Sequence, residues 1–240
     1  MKLTKDNKEK LDNLLNKYSL SQKDKKEFKK MVLPIIKHNE FQKRMNNPFY
    51  HHGNITLGEH IIEDSIVTYM LSKKKKENYR TDLALKISMF HDLYTVPWQN
   101  NKEAKVQHFF HKHGFRHPIE GVINAMNWYP EYFEDIHESE IIIDGILHHM
   151  FPLPVLSSRI IDDKLELKNY VMYYNIPSDY QNIIINSLKR KKLGAISISR
   201  SKYLEGKTMA KADRIVSRKE IRNFSSMKAL LTGHNKKLNK

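Results

Sequence analysis

The stretch "LKISMFHDLYTVPW", residues 85–98, decides how this chain is read. Its first half is apolar at helical spacing, and Pro97 requires the helix to have ended just before it. The apolar stripe Leu83, Ile87 runs straight into His91, so the helix of 81–92 closes on an imidazole and a carboxylate side by side. A carboxylate is doubly disfavoured there. It turns toward a core, where a lone charge is costly, and it lies at the negative end of the helix dipole. A bound dication offsets both penalties, and the helix end lets His91 and Asp92 turn to the same ion.

Two other helices repeat the pattern. In "TLGEHIIEDSIVTYMLS", residues 56–72 with Thr56 as N-cap, the stripe is Leu57, Ile61, Val67, Leu71. His60 and Asp64, four apart, fall inside it. In the helix expected over 207–223 the stripe Met209, Ala212, Val216 contains Asp213, while Arg214 and Arg218 point elsewhere. One buried histidine is usually a hydrogen-bonded core residue, and Asp213 alone could pair with an arginine. Three helices that each aim a metal-competent side chain at a core outweigh those simpler readings. His117, ahead of the helix that Pro118 opens, and His148–His149, at the end of the helix of 137–150, are further candidates. His51, His52, His108, His111, His113 and His137 lie in loops or polar runs and read as surface histidines.

Helical spacing dominates the remaining chain, with only 8 Gly and 8 Pro. Amphipathic helices are expected at 4–18 and at 22–38, the second capped by Ser21, with a short helix at 101–112. The Pro118 helix should stop near Trp128, before Pro130. From 153 to 206 the pattern is weaker: short helices near 163–174 and 178–191, and a strand at "AISIS". The expected fold class is all-α, one domain with an N-terminal helical appendage over 1–47 and a basic tail over 226–240.

Hydrophobic residues make up 40%, enough for a real core, so the chain is not disordered. No run of about 18 apolar residues offers a transmembrane helix. The charged start "MKLTKDNKEKLDNLL" has no apolar core of a secretory signal. With 0 Cys, disulfide and thiolate chemistry are excluded and a cytoplasmic location is expected. Any metal must then be held by histidines and carboxylates. The net charge of +15 is concentrated late: residues 189–240 carry sixteen Lys and Arg against three acids. Such an end could attract nucleic acid. It lacks the interleaved aromatics that stack bases, so solvated faces of a Lys-rich composition explain it more simply.

Taken in order, these residues resemble the HD superfamily of metal-dependent phosphohydrolases. That family shows a histidine on one helix, then His-Asp, then later histidines, then an aspartate on a last helix. Here the order is His60, His91-Asp92, His117, His149 and Asp213. The blocks "HHGNITLGEH", "FHD", "KHGFRHP" and "HHMFPLP" resemble those of a group of uncharacterised bacterial HD proteins, over about 48–152 and 207–217. The resemblance implies an HD-domain helical bundle over 48–225, with 153–206 an unaligned insertion. It implies His60, His91, Asp92 and Asp213 as core metal ligands. His117 and His149, or His148, would hold a second ion with Asp92 bridging. "MFPLP" lacks the Gly-Tyr-Pro signature of the cyclic-di-GMP branch. "HDLYTVPW" offers Tyr94, Thr95 and Trp98 but no lysine after His-Asp to hold phosphate. Arg116, near a helix N-terminus, is the nearest alternative cation.

The implied activity is hydrolysis of a phosphomonoester or phosphodiester of a phosphorylated small molecule, a nucleotide above all. Asp92, His117 and Arg116 would act on substrate, with Asp64 fixing the tautomer of His60. One or two ions of Fe, Mn, Ni, Co or Zn suit nitrogen and oxygen ligands without sulfur. A diiron oxygenase, and a regulatory or nucleic-acid-binding protein with a structural metal site, are the rival readings.

Overall fold

Thr56 opens the helix around which the molecule is built. Its hydroxyl accepts from the Glu59 amide (3.3 Å) while the Glu59 carboxylate accepts from the Thr56 amide (3.0 Å). This reciprocal capping box is worth about 1 kcal/mol and fixes where the helix starts. In the computed structural model, residues 2–95, 113–156, 160–161, 164–165, 176–194 and 196–237 are described. The helices are α1 (Lys5–Asn16), α2 (Gln22–Ile36), α3 (Asn39–Arg44), α4 (Leu57–Ser72), α5 (Thr81–Phe90), α6 (His113–Trp128), α7 (Ile136–Leu147), α8 (Ser178–Lys189) and α9 (Leu204–Lys237). The fold is all-α, as the spacing predicts, with only two-residue strands beside the helices among the described residues.

Helix α4 is buried on nearly every side, with Ile61, Ile62 and Ile66 fully covered. It packs against α5, α9 and α1; α5 packs in turn against α7, α9 and α2, and α7 against α6, α8 and α9. A helix covered on nearly every side belongs at a centre, and each covered Ile or Leu contributes about 1.5–3 kcal/mol. The N-terminal helices join the same core: Leu11, Leu14, Leu15, Phe28, Val32 and Ile36 cluster with the α4 and α5 side chains.

Several boundaries differ from expectation. Ser21 caps α2 as expected, but α1 begins after a Thr4 cap, and a short α3 adds a helix between the expected helix of 22–38 and Pro48. Helix α6 already includes His113, five residues before Pro118, so the proline sits inside it and not in its first turn. Helix α7 ends at Leu147, leaving His148 outside as its C-cap. The strand read at "AISIS" is β5 (Ile196–Ser197), flanked antiparallel by β1 (Val155–Leu156) and β4 (Lys192–Leu193). Where a helix over 163–174 was expected, β3 (Lys164–Leu165) pairs with β2 (Ile160–Ile161). Ile160 and Ile161 are β-branched, and their local pairing with Lys164–Leu165 wins over a weak helical period there. The rest of that expected helix, the helix at 101–112, Trp98, His108 and His111 lie outside the described residues. Helix α9 continues to Lys237 through most of the expected basic tail. Among the described residues no helix is long and apolar enough to cross a membrane.

Candidate metal centre

Helix α5 ends at Phe90, and His91 and Asp92 follow at the centre of the core, 0% and 5% exposed. The buried guanidinium of Arg44 holds this turn from outside. Its Nε donates to the Tyr94 carbonyl at 2.9 Å, and its plane lies over the rings of Trp128 (4.4 Å) and Phe49 (5.0 Å). Gly121 lets α6 approach from the other side: a Cβ there would stand 2.6 Å from the His91 carbonyl oxygen. Only a residue without a side chain allows that contact, and it places His117 one turn earlier against Asp92.

The Asp92 carboxylate is the hub. Its Oδ2 lies 3.8 Å from His60 Nε2, 3.6 Å from His91 Nε2 and 3.7 Å from His51 Nε2. Its Oδ1 lies 3.2 Å from His117 Nε2 and 3.8 Å from His149 Nε2. Asp213, from α9, stands 3.8 Å from His60 Nε2, and Asp64, from α4, 3.5 Å from His91 Nε2. Ligand atoms of His60, Asp64, His91 and Asp213 lie within 4.8 Å of one another, as do those of His91, Asp92 and His149. Nitrogen and oxygen donors about 2.0–2.2 Å from one ion stand about 3–4 Å apart, the spacing found here.

The far sides of the rings fix their protonation. His91 Nδ1 donates to the Ser88 carbonyl (2.7 Å), His149 Nδ1 to the Ile146 carbonyl (2.7 Å) and His117 Nδ1 to the His113 carbonyl (3.1 Å). A carbonyl only accepts, so in each neutral ring Nε2 carries a lone pair and aims it at Asp92. The Nε2 atoms of His117 and His149 are 3.0 Å apart. Two lone pairs at that distance repel unless a proton or a cation lies between them. The same holds for His60 Nε2, His91 Nε2, Asp92 Oδ1 and both Asp64 oxygens, which are buried without a hydrogen-bond partner. Buried polar atoms in this condition are rare, and an ion is one of the few things that explains them. The donor set fits a divalent metal.

The electrostatics follow from this crowding. Burial and the charge of Asp213 push Asp64 well above the carboxylate range. Burial alone would raise Asp92, but the imidazoles of His91, His117 and His149 outweigh it and hold Asp92 far below its usual value. Burial would lower His60, but the Glu220 carboxylate raises it to about 10. Burial, with His91 and His117 close by, drops His149 to about 3. Without a cation, protons on His60 and Asp64 offset the excess of lone pairs. Metal binding would release them.

The structure thus brings together His60, His91, Asp92, His117, His149 and Asp213 from α4, the α5 end, α6, the α7 end and α9. It does not bring His148, whose ring is hydrogen-bonded to Ser187 (3.0 Å) and Ser199 (3.0 Å) beside Asp144. Arg116 precedes His117 by about 100° of helix rotation and is half-buried, off the face that meets Asp92. Asp64, expected behind His60, stands beside His91. Arg214 donates to the Phe151 carbonyl at 3.0 Å, away from the cluster.

Sequence reasoning missed two members, His51 and Glu220. Glu220 lies seven residues after Asp213, two turns along the same face of α9, which was a usable signal. The chain matches no protein-family model, no curated protein and no solved structure.

Proposed function

We propose that this protein is a metal-dependent phosphohydrolase acting on a phosphomonoester or phosphodiester, with a nucleotide-like substrate the first class to try. One observation carries the reading: five imidazole Nε2 atoms converge on the two oxygens of one buried carboxylate, three on one side and two on the other, with three of the rings anchored behind by carbonyls. The order of these residues along the chain is that of the HD phosphohydrolases, which supports the same conclusion. Bound divalent metal, one ion or two, would polarise a phosphoryl oxygen and acidify water at the site.

The chain's own residues supply the rest. Asp92 offers one oxygen to the His60–His91–Asp213 side and the other to the His117–His149 side, so it can serve two positions at once. His60 and His91 are 0% exposed, while His51, His52 and His113 are only half-buried. Substrate would enter past these three. His117 and Asp92, 3.2 Å apart, are the pair placed to hold or move a proton near that entrance. Arg116, on the same turn of α6, could reach phosphate outside the metal shell.

Protein purified without chelator should contain at least one equivalent of Fe, Mn, Ni, Co or Zn by elemental analysis. Metal-stimulated phosphate release from a panel of nucleotides and phosphoesters would support the reading. Metal-free protein whose melting temperature ignores added metal would end it. Oxygen consumption with a mixed-valent iron signal and no phosphate release would replace it with an oxygenase.

A further inference from the structure

Glu220 reaches the cluster from the far end of the described α9 side chains and is 2% exposed. Its two oxygens go to two different rings: Oε1 is 3.0 Å from His60 Nδ1 and Oε2 is 2.9 Å from His51 Nδ1. The two imidazoles stack, centroids 3.6 Å apart and planes 23° apart. Both Nε2 atoms then face the same oxygen, Asp92 Oδ2, at 3.7 and 3.8 Å. The loop carrying His51 is itself fixed. The His51 amide donates to the Ile55 carbonyl (2.8 Å), the Leu57 amide to the Phe49 carbonyl (2.8 Å), and Gly53 supplies the left-handed turn at φ 60°.

We propose that His51 is an additional metal ligand, joining His60 on the Oδ2 side of Asp92, and that Glu220 is the positioning residue that orients both rings. This rests on the metal-centre reading above but not on the reaction. An ionised carboxylate only accepts, so each ring must present an N–H to Glu220 and keep its Nε2 lone pair for the ion. A carboxylate behind a ligating histidine is the usual way such a ring is oriented and made more basic, and its loss costs about 10–100-fold in metal affinity. Here one carboxylate serves two ligands, from a loop and from α4, and ties both to α9. The ligand atoms of His51, His60 and Asp92 all lie within 4.8 Å of one another, as one ion requires.

Glu220→Gln is the informative substitution. A glutamine offers one acceptor in place of two, so one ring must turn over its tautomer and lose its Nε2 lone pair. Zinc affinity of the full chain, measured by competition with a fluorescent chelator, should fall about 10–100-fold in Glu220→Gln and at least about 10-fold in His51→Ala. His137→Ala, at an exposed position on α7, should leave it unchanged. Nitrogen-15 spectra of zinc-loaded wild type should show His51 and His60 both protonated at Nδ1 and metallated at Nε2, a readout that needs no variant to fold. Wild type that binds zinc with His51 Nε2 unligated, or with affinity indifferent to both substitutions, overturns this inference and leaves the hydrolase reading standing. Wild type that binds no metal removes both.

Discussion

Gly121→Ala tests whether the close approach of α6 to the α5 end sets the metal centre. The added Cβ would lie 2.6 Å from the His91 carbonyl oxygen and 3.2 Å from that of Phe90. Ordinary contact begins at about 3.4 Å. The backbones must therefore part by about 0.8 Å, because both obstacles are main chain and neither can swing aside. Metal ligands tolerate about 0.2 Å. His117 rides on the same helix one turn earlier, so its 3.2 Å contact with Asp92 and 3.0 Å contact with His149 open beyond that tolerance. His60, His91 and Asp213 come from other elements and keep their places. The expected result is folded protein with reduced metal content, destabilised by about 1–3 kcal/mol. For a chain of this size that lowers the melting temperature by roughly 2–12 °C. Gly114→Ala is the control, since a Cβ there meets nothing within 4 Å. Elemental analysis and thermal unfolding, each with and without chelator, read the outcome. Gly121→Ala with full metal content and wild-type melting would refute the claim that this glycine positions His117.

Asp92→Asn should abolish metal retention on both sides, because one neutral amide replaces the carboxylate that faces every Nε2; retention of one full equivalent would mean Asp92 does not serve both. His117→Ala should lower metal content toward one equivalent with circular dichroism unchanged. Unaltered stoichiometry would confine the ion to His60, His91, Asp92 and Asp213. Arg44→Met should cost about 1–3 kcal/mol in chemical denaturation by removing the buried charged hydrogen bond to the Tyr94 carbonyl, and an unchanged midpoint would show that the guanidinium merely fills space. Glu138 on α7 is held below its usual carboxylate value by its hydrogen bond from Arg80, against the opposing effect of burial, with Lys86 adding to the lowering. A depressed carboxylate contributes stability above its unfolded value, about 4.3, that is lost as pH falls through the folded one. The melting-temperature gap between wild type and Glu138→Gln should therefore be present at about pH 6 and narrow as pH falls below the unfolded value of about 4.3. A gap constant over that range would show that the Arg80 pair contributes nothing.

Much of the fold could be read from local rules because those rules act within a few residues. Thr56 with Glu59, Ser21 ahead of α2 and the apolar spacing of 81–90 each decide an element without help from elsewhere. The start of α6 could not be read the same way. Pro118 is compatible with a first turn, but nothing local forbids a further turn before it. The pair His148–His149 failed for a related reason. Helix phase assigns a direction only while the helix lasts, and α7 ends one residue before the pair. Its C-cap geometry, φ −114° and ψ 17°, sends His148 to Ser187 and Ser199 and leaves His149 to Asp92.

His51 marks the deeper limit. It sits in a loop, and a loop histidine is normally solvated, so no periodicity could have placed it inside. What buries it is Glu220, 169 residues later. Conversely, a lone glutamate in "RKEIR" reads as one charge among many on a basic helix, until α9 is docked against α4 and that face turns inward. Each residue makes the other's burial tolerable: the carboxylate needs two N–H donors, and the rings need an acceptor behind them to keep their lone pairs in front. Neither condition exists in any short window of sequence. The cluster residues legible from helix phase alone, His60, His91 and Asp213, are those whose own helices already carry an apolar stripe past them. The ones that phase could not place owe their position to a partner from another element. A cluster assembled from five helical elements and one loop therefore discloses its helical members first and its loop member last.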